Sequence, residues 1–229
     1  AADVTFELGK KEDRDGYILM DGVTTYGPAA EQVPASFLYP KNWKGDAVLW
    51  LSLKGSDSVL DGAKPTAAAQ KLLDAGLAIA CPTLHLQGAT ETPKAGDNLK
   101  AKPGDFREFS GYTYGYNPTL LSRRVHDAMT MAVMMRIHPD KPAKQVLLAG
   151  TDGAGPVAAA AAAMLHEVAQ GLALDLQGFS FAKLTSPWDI NFVPGAVKYG
   201  DVPALLKLCE PMKVTEASGN EAVAAALIK

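Results

Sequence analysis

Apolar and polar residues at the start of the chain alternate in short runs typical of strands. Residues 5–8 and 17–20 predict two short antiparallel strands, separated by the charged turn at residues 10–16. Residues 35–39 predict a third strand, and Pro40 closes it. The chain therefore begins with strands that pair locally, before any helix is predicted.

After residue 46 the pattern changes to apolar runs alternating with helical stretches. The nearly continuous apolar runs predict strands at residues 47–53, 77–82, 145–149, 178–184 and 212–217. The helical stretches predict helices at residues 65–74, 118–137, 156–168, 202–208 and 221–228. This order predicts one α/β domain over residues 1–229. We expect a mostly parallel, doubly wound sheet with antiparallel N-terminal strands and helices on both faces.

The composition fits one compact domain and excludes several classes of protein. Hydrophobic residues make up 48% and charged residues 21% of the 229, which excludes wholesale disorder. The formal net charge of −3, with no long Lys or Arg run, argues against nucleic-acid and membrane partners. The two cysteines have no metal-ligand pattern around them, and no disulfide scaffold is possible with so few. We expect no metal and no cofactor.

The sharpest candidate for chemistry is the glycine-rich turn after the strand at residues 145–149. It reads Gly150-Thr151-Asp152-Gly153-Ala154-Gly155-Pro156 and leads from a buried strand into a helix. In open parallel sheets, functional sites lie beyond the carboxyl ends of the strands. A buried strand, a glycine-rich turn and a helix in this order are also the context of the nucleophile elbow G-x-S-x-G. The flanking glycines let the central side chain stand over the sheet, and the small residues allow helix and strand to pack closely.

At this turn the chain resembles the α/β-hydrolase superfamily, in particular the bacterial secreted branch that includes acetyl-xylan-esterase-type proteins. The sequence segments that carry this resemblance are YTYGYNP at 112–118 before RRVHD at 123–127, and FVPG at 192–195 before KYGD at 198–201. The resemblance covers residues 35–217 by order of elements. It implies an ester hydrolase, with a small-molecule or glycan ester as substrate. The start Ala1-Ala2, typical of cleavage at a small-residue site, adds the expectation of a periplasmic or secreted protein.

Two departures from the family pattern bear on catalysis. Asp152 stands where an esterase has Ser, and Ala154 stands where the elbow has its last Gly. In the haloalkane-dehalogenase and epoxide-hydrolase branches an Asp is the nucleophile and forms an ester intermediate. The family order is nucleophile, acid, His, but the only His after Asp152 is His166, four turns into the next helix. The chain also ends where the last strand and its His belong, so we expect that strand to be lacking.

Candidate catalytic residues follow the predicted strands. We take Asp152 as the nucleophile, Asp189 as the acid, with Glu221 as a second possibility, and His85 as the base. Each has a structural alternative. Asp152 would cap the helix that follows, and His85 would be a loop histidine with its hydrogen bonds satisfied. Both acids would then be ordinary surface residues.

Candidate binding groups come from the neighbouring loops. The backbone N–H groups of Gly153, Gly55 and Ser56 are candidates for an oxyanion hole. Tyr114 belongs to an aromatic cluster in the long loop at residues 84–117, together with Phe106, Phe109, Tyr112 and Tyr116. Aromatic rings on such a rim suit a sugar or the apolar side chains of a partner, unless they only seal the loop onto the core.

Three classes of function remain open. The first is an ester hydrolase with non-standard machinery, and the second is a catalytically inactive homologue that serves as a binding or structural subunit. The third is a dinucleotide enzyme, because residues 153–158 match G-x-G-x-x-A and Asp175 follows. A P-loop is excluded, since Pro156 and Val157 stand where it needs Lys and then Ser or Thr. A missing last strand would leave residues 212–217 as an open edge, so we expect a homo-oligomer or a partner subunit.

Overall fold

A mixed sheet covered by helices on both faces organises the chain. The computed structural model describes residues 3–92 and 113–228. Its strands are β1 (Val4–Asp13), β2 (Tyr17–Tyr26), β3 (Glu31–Pro40), β4 (Asp46–Ser52), β5 (Leu60–Asp61), β6 (Lys64–Pro65), β7 (Ala78–Pro82), β8 (Gln145–Thr151), β9 (Gly171–Leu174) and β10 (Lys213–Glu216). Its helices are α1 (Ala67–Asp74), α2 (Leu120–Ile137), α3 (Gly155–Met164), α4 (Asp201–Leu208) and α5 (Asn220–Ile228).

Eight strands form the main sheet in the order β1-β2-β3-β7-β4-β8-β9-β10, and β5 pairs only with β6. β1, β2 and β3 are antiparallel, and β3 is also antiparallel to β7. β7, β4, β8, β9 and β10 run parallel. The predicted fold class, a mostly parallel sheet preceded by antiparallel strands, is confirmed. β10 forms one edge of the sheet within the described part of the chain.

Alternation along the central strand β4 explains the two apolar layers. Val48 and Trp50 point into the layer beneath α1 and α5, whereas Leu49 and Leu51 point into the layer beneath α2, α3 and α4. All four side chains are fully buried. Successive residues of a strand face opposite sides, so a continuous apolar run is what a strand covered on both faces requires.

The strand predicted at residues 178–184 is wrong. The fourth parallel strand of the chain is β9, because the predicted helix at 156–168 ends at Met164 and leaves Gly171–Leu174 free to pair with β8 and β10. Residues 181–183 form a single 3₁₀ turn instead. Ser180 Oγ accepts the N–H of Ala182 at 3.1 Å, and Asp201 accepts the N–H of Phe181 at 2.8 Å. Such side-chain hydrogen bonds to the backbone compete with pairing in a sheet.

Helix α3 lies unusually close to the sheet because of Gly155. A Cβ atom at this position would lie 2.4 Å from the carbonyl oxygen of Asp175, which directly follows β9. A Cβ on Gly150 would lie 2.5 Å from the Cβ of Ala158. The close packing predicted for the small residues of the turn is therefore present in the structure.

We expect Gly155→Ala to destabilise the protein by about 2 kcal/mol, because the added methyl group overlaps backbone that cannot rotate away. This corresponds to a fall of roughly 4–8 °C in melting temperature for a chain of this size. Gly27→Ala is the matched control, since its new Cβ would have no neighbour closer than Asp3 O at 3.6 Å. Equal melting temperatures for the two variants would show that α3 can move away from the sheet at little cost.

No helix among residues 3–92 and 113–228 is both long enough and apolar enough to cross a membrane.

Candidate functional site

Asp152 lies at the carboxyl end of β8, on the turn into α3. Its φ angle is +49°, in the left-handed region that Asp tolerates better than most residues. The side chain is 11% exposed. It does not cap α3, because the residue at the cap position is Ala154 and no side chain accepts a hydrogen bond there. Capping, the structural alternative predicted for Asp152, is therefore not its role.

The carboxylate of Asp152 is held by three side chains from distant parts of the chain. Lys54 Nζ lies 2.8 Å from Oδ1. Oδ2 accepts hydrogen bonds from Ser52 Oγ at 3.0 Å and from Asn220 Nδ2 at 3.1 Å. Ser52 ends β4, Lys54 stands two residues later, and Asn220 begins α5. We call these four residues the Asp152 cluster, which joins the ends of β4 and β8 to the last helix.

The surroundings of Asp152 keep it ionised. Burial by itself raises the pKa of this carboxyl group, but the hydrogen bonds from Lys54, Asn220 and Ser52 and the charge of Lys54 outweigh it. The net effect is a pKa below the ordinary value for Asp. The same interaction raises the pKa of Lys54. At neutral pH the cluster holds a carboxylate and an ammonium group in direct contact.

This arrangement gives Asp152 little of what a nucleophile needs. A nucleophilic carboxylate must point a free oxygen at the substrate and must lie near a base that activates water. Here both oxygens already accept from neighbouring side chains. No histidine within the described ranges donates to Asp152 or accepts from it. The geometry is that of a buried anion that ties elements together.

Asn220 is a residue of the site that the sequence did not reveal. Asp175, directly after β9, positions Asn220. Asp175 Oδ2 accepts the N–H of the preceding residue, Gly219, at 2.8 Å, and Asp175 Oδ1 accepts the N–H of Gln177 at 2.9 Å. A Gly-Asn pair before a helix is an ordinary turn signal, with nothing to indicate contact with a residue 68 positions earlier. The carboxylate of Asp175, the acidic residue of the dinucleotide motif, is committed to the backbone.

The candidate oxyanion-hole residues lie in the turns beside the Asp152 cluster. Gly55 begins a 3₁₀ turn, Gly55–Ser58, with φ +59°; it is buried, whereas Ser56 is exposed. Gly153 has φ +89°, and a Cβ on it would lie 3.1 Å from Leu53 Cδ1, so the turn after β8 packs against the end of β4. The N–H groups of these residues are thus in neighbouring turns, and their role in stabilising an oxyanion stays a prediction.

His85 lies three residues after β7, with an exposed side chain that makes no hydrogen bond to Asp152. Partial burial lowers the pKa of His85, and the charges of Arg123 and Arg124 lower it further, against a smaller opposing effect of Glu31. Its backbone is fixed firmly. Its N–H donates to Asp127 Oδ2 at 2.6 Å, and its carbonyl oxygen accepts from Arg124 Nε at 3.0 Å.

Beneath the His85 loop lies a buried pair of opposite charges on α2. Arg124 is 1% exposed and also donates through Nη2 to the carbonyl oxygen of Leu86 at 2.9 Å. Asp127 is 7% exposed, and its burial raises its pKa to about 6 despite the hydrogen bond from His85 and the charge of Arg124. The helix thus holds the loop by one anionic and one cationic side chain.

In a second region, Tyr114 lies against residues 187–192, the segment that carries Asp189. The Tyr114 hydroxyl donates to the carbonyl oxygen of Pro187 at 2.5 Å, and its ring centroid lies 5.2 Å from that of Phe192. Asp189 Oδ1 accepts the N–H of Asn191 at 2.8 Å. Burial raises the pKa of Tyr114, and the charge of Asp189 adds to that effect.

The other members of the predicted set lie apart from Asp152. Tyr116 is 87% exposed, whereas Phe106, Phe109 and Tyr112 lie outside the described residues. Glu221 forms an ion pair with Lys71 of α1 at 2.7 Å. The structure therefore gathers Ser52, Lys54 and Asn220 around Asp152, and gathers neither predicted acid nor His85 into direct contact with it.

Comparison with known proteins relates this fold to esterases. No protein-family model matches the sequence, and no match is found among the curated proteins. Among solved structures, a promiscuous CE15 esterase from a marine bacterial metagenome is 13% identical with a TM-score of 0.64, the match covering 96% of this chain and 68% of the other.

Two further solved structures give the same picture. A CE15 glucuronoyl esterase from Teredinibacter turnerae is 14% identical with a TM-score of 0.57, covering 96% of this chain and 63% of that one. Acetyl xylan esterase 1 from a Thermoanaerobacterium species is 14% identical with a TM-score of 0.57, covering 99% and 77%. The chain has the α/β-hydrolase fold in its acetyl-xylan-esterase-like form, as the order of elements predicts.

Proposed function

We propose that this α/β-hydrolase-fold protein binds an ester, and in particular a glycan ester, at the carboxyl edge of its sheet without cleaving it by a serine mechanism. It would then act as a binding or structural subunit. The observation that carries the proposal is the Asp152 cluster. At the elbow position the chain has a carboxylate whose two oxygens are occupied by Lys54, Ser52 and Asn220.

The electrostatics of the elbow support binding over cleavage. Acyl transfer needs an oxyanion to form beside the nucleophile, in a site that stabilises negative charge. Asp152 is already ionised there, and Lys54 neutralises it through direct contact. Because Lys54 is already paired with Asp152, a second negative charge formed beside this carboxylate would lack a cation of its own.

The class of ligand is inferred from two sources. The similar structures are named as an acetyl xylan esterase and a glucuronoyl esterase, and both names refer to esters of carbohydrates. Aromatic side chains are the usual platform for sugar rings, and the ring centroid of Tyr114 lies 6.1 Å from that of Trp188 and 5.2 Å from that of Phe192.

A second candidate is a hydrolase in which Asp152 itself reacts. The favouring observation is that Asp152 is an ionised carboxylate on a turn with φ +49°, which lifts its side chain above the sheet. In that mechanism one oxygen would leave its hydrogen-bond partners and attack the carbonyl carbon of the ester. The alkoxide would depart and take a proton from Lys54 or from water, and a water molecule would then cleave the resulting anhydride, regenerate the carboxylate of Asp152 and return the proton.

Labelling and turnover separate the two candidates. We expect a fluorophosphonate probe to leave the protein unlabelled, because no serine stands at the elbow. Hydrolysis of p-nitrophenyl acetate should be equal in the wild type and in Asp152→Asn, which keeps a hydrogen-bond acceptor and tolerates the positive φ. Turnover that Asp152→Asn abolishes would establish the second candidate. A labelled serine, Ser56 or Ser110 included, would refute both.

Binding is tested with acetylated xylo-oligosaccharides and two tyrosine variants. We expect Tyr114→Ala to weaken binding about tenfold, equivalent to about 1.4 kcal/mol, and to lower the melting temperature through the lost hydrogen bond to Pro187. Tyr116→Ala is the control, because that ring is 87% exposed. If Tyr114→Ala lowers the melting temperature but leaves binding unchanged, the ring is structural.

Two expectations from the sequence stay predictions here. A periplasmic or secreted location is the first. Self-association, or a partner subunit, is supported by the position of β10 at an edge of the described sheet, where backbone groups are open to pairing with another chain.

A further inference from the structure

A cavity of about 560 Å³ lies against β1, β2 and β3, on the side of the sheet away from β8 and Asp152. Ala35 of β3 stands opposite Pro82, the last residue of β7, so the far end of β3 at Tyr39 lies at the amino ends of the parallel strands. Asp152, in contrast, follows the carboxyl end of β8. The apolar lining comes from β1, β2, β3 and the end of α2: Val4, Phe6, Leu8, Met20, Phe37 and Met134.

A β-bulge in β1 turns a lysine onto this apolar surface. Leu8 pairs with Gly22, but the next pair is Lys11 with Met20, so β1 uses one more residue than β2 over this interval. Without the bulge, side-chain alternation would put Lys10 on the same face as Leu8. With it, Lys11 faces the cavity beside Met20. Bulges that re-aim a side chain in this way are typical beside binding sites.

A second lysine enters the lining from the loop after α2. Lys141 Nζ stands 5.7 Å from the centroid of the Tyr39 ring. Lys11 and Lys141 have no carboxylate partner in the described part of the chain, while Lys10 pairs with Glu12. Asp140 is the one acidic side chain of the lining, so the charges there sum to a positive excess.

Two further polar groups complete the wall. Burial raises the pKa of Tyr39, so its hydroxyl is a neutral donor. His138 Nδ1 accepts the N–H groups of Asp140 and Lys141, both at 3.2 Å, and its ring centroid lies 5.3 Å from that of Phe6. These contacts fix the loop that carries Lys141 against the floor of the cavity.

We propose that this cavity binds a small amphipathic carboxylate, with its apolar chain or ring against the sheet and its carboxylate between Lys11 and Lys141. Ligand sites are concave, mostly apolar and supplied with a few polar groups that fix orientation, and this volume falls within their usual range. An anionic head would neutralise the excess positive charge of the lining. The site is separate from the elbow, so the inference does not rest on the proposed function.

The test uses octanoate, 4-butylbenzoate and the neutral 1-octanol in calorimetric titrations of the whole chain. We expect one octanoate to bind, with 1-octanol at least tenfold weaker, because only the carboxylate can pair with the lysines. A preference between octanoate and 4-butylbenzoate would distinguish a fatty-acid source from an aromatic one. If neither octanoate nor 4-butylbenzoate binds at millimolar concentration, the proposal is overturned.

Variants locate the site. We expect Lys11→Met combined with Lys141→Met to weaken octanoate at least tenfold, and Leu8→Trp to abolish binding by filling the cavity. Lys10→Met is the matched control on the same strand and should bind as the wild type does. All four residues are exposed in the open cavity or beside it, and melting temperatures would verify folding. Octanoate affinity unchanged in both Leu8→Trp and the double lysine variant would place binding elsewhere and refute the assignment.

Discussion

Asp152→Ala is expected to lower the melting temperature of the protein by roughly 6–12 °C. The substitution leaves the buried Ser52 hydroxyl and the Asn220 amide without their acceptor, at about 3 kcal/mol in total. Lys54 contributes little to this sum, because its side chain is 66% exposed and water screens the ion pair. Thermal unfolding followed by circular dichroism gives the result directly.

Two other variants show whether the effect belongs to the Asp152 cluster. Asp152→Asn should lose less than half as much stability, because it keeps one acceptor oxygen. Asp57→Ala, in the exposed part of the neighbouring 3₁₀ turn, should change the melting temperature by no more than a degree or two. The pKa of Asp152 lies below the ordinary value, so its contribution is present above pH 4 and is lost as the pH falls further. Equal stability of Asp152→Ala and Asp57→Ala would contradict a structural role.

The second large effect is expected for Arg124→Met. The substitution removes two hydrogen bonds to the carbonyls of His85 and Leu86, and it removes a buried positive charge that favours the ionised form of Asp127. Removing one member of a buried charged pair typically costs about 3 kcal/mol or more. Chemical unfolding in urea, with the free energy of unfolding extrapolated to water, measures this loss.

The loss from Arg124→Met should depend on pH in a definite direction. The pKa of Asp127 is raised to about 6, so protonation favours the folded state. That contribution is complete below the ordinary Asp pKa of about 4 and disappears as the pH rises through 6. Without Arg124 the pKa of Asp127 rises further, so the variant should lose more stability at pH 8 than at pH 5. Adding Asp127→Asn should restore part of the loss at pH 8, and a pH-independent loss would be inconsistent with this pair.

How much of the structure can be predicted from the sequence depends on how far apart in the chain the interacting residues stand. The apolar run of β4 predicts its burial on both faces because alternation is local, and the turn at residues 150–156 predicts a tight strand–helix junction for the same reason. The predicted strand at 178–184 is wrong because a residue outside this segment decides its structure. Asp201, 20 residues after Phe181, accepts the N–H of Phe181 and so holds this segment in a turn.

The composition of the candidate site was much harder to predict. The glycine-rich turn identifies Asp152 from the sequence. Its partners Ser52 and Asn220 stand 100 residues before and 68 residues after it, and only the tertiary fold brings them together. Ser52 and Lys54 shortly precede Gly55, a candidate oxyanion residue, so the sequence indicates this region of the chain but not the two side chains that hold Asp152. Arg124 and Asp127 lie off the apolar stripe of the predicted helix at 118–137, and the loop that buries them cannot be placed from sequence.

The Asp152 cluster also constrains the order in which this chain can fold. Asn220 begins α5, which packs against α1, where Glu221 pairs with Lys71 across 150 residues of sequence. During synthesis β4 and β8 are both available long before α5 leaves the ribosome, and contacts so distant in sequence are slow to form. Until α5 docks, Asp152 lacks one donor and α1 lacks part of its cover. The elbow is therefore completed by the same late event that closes one apolar layer of the domain.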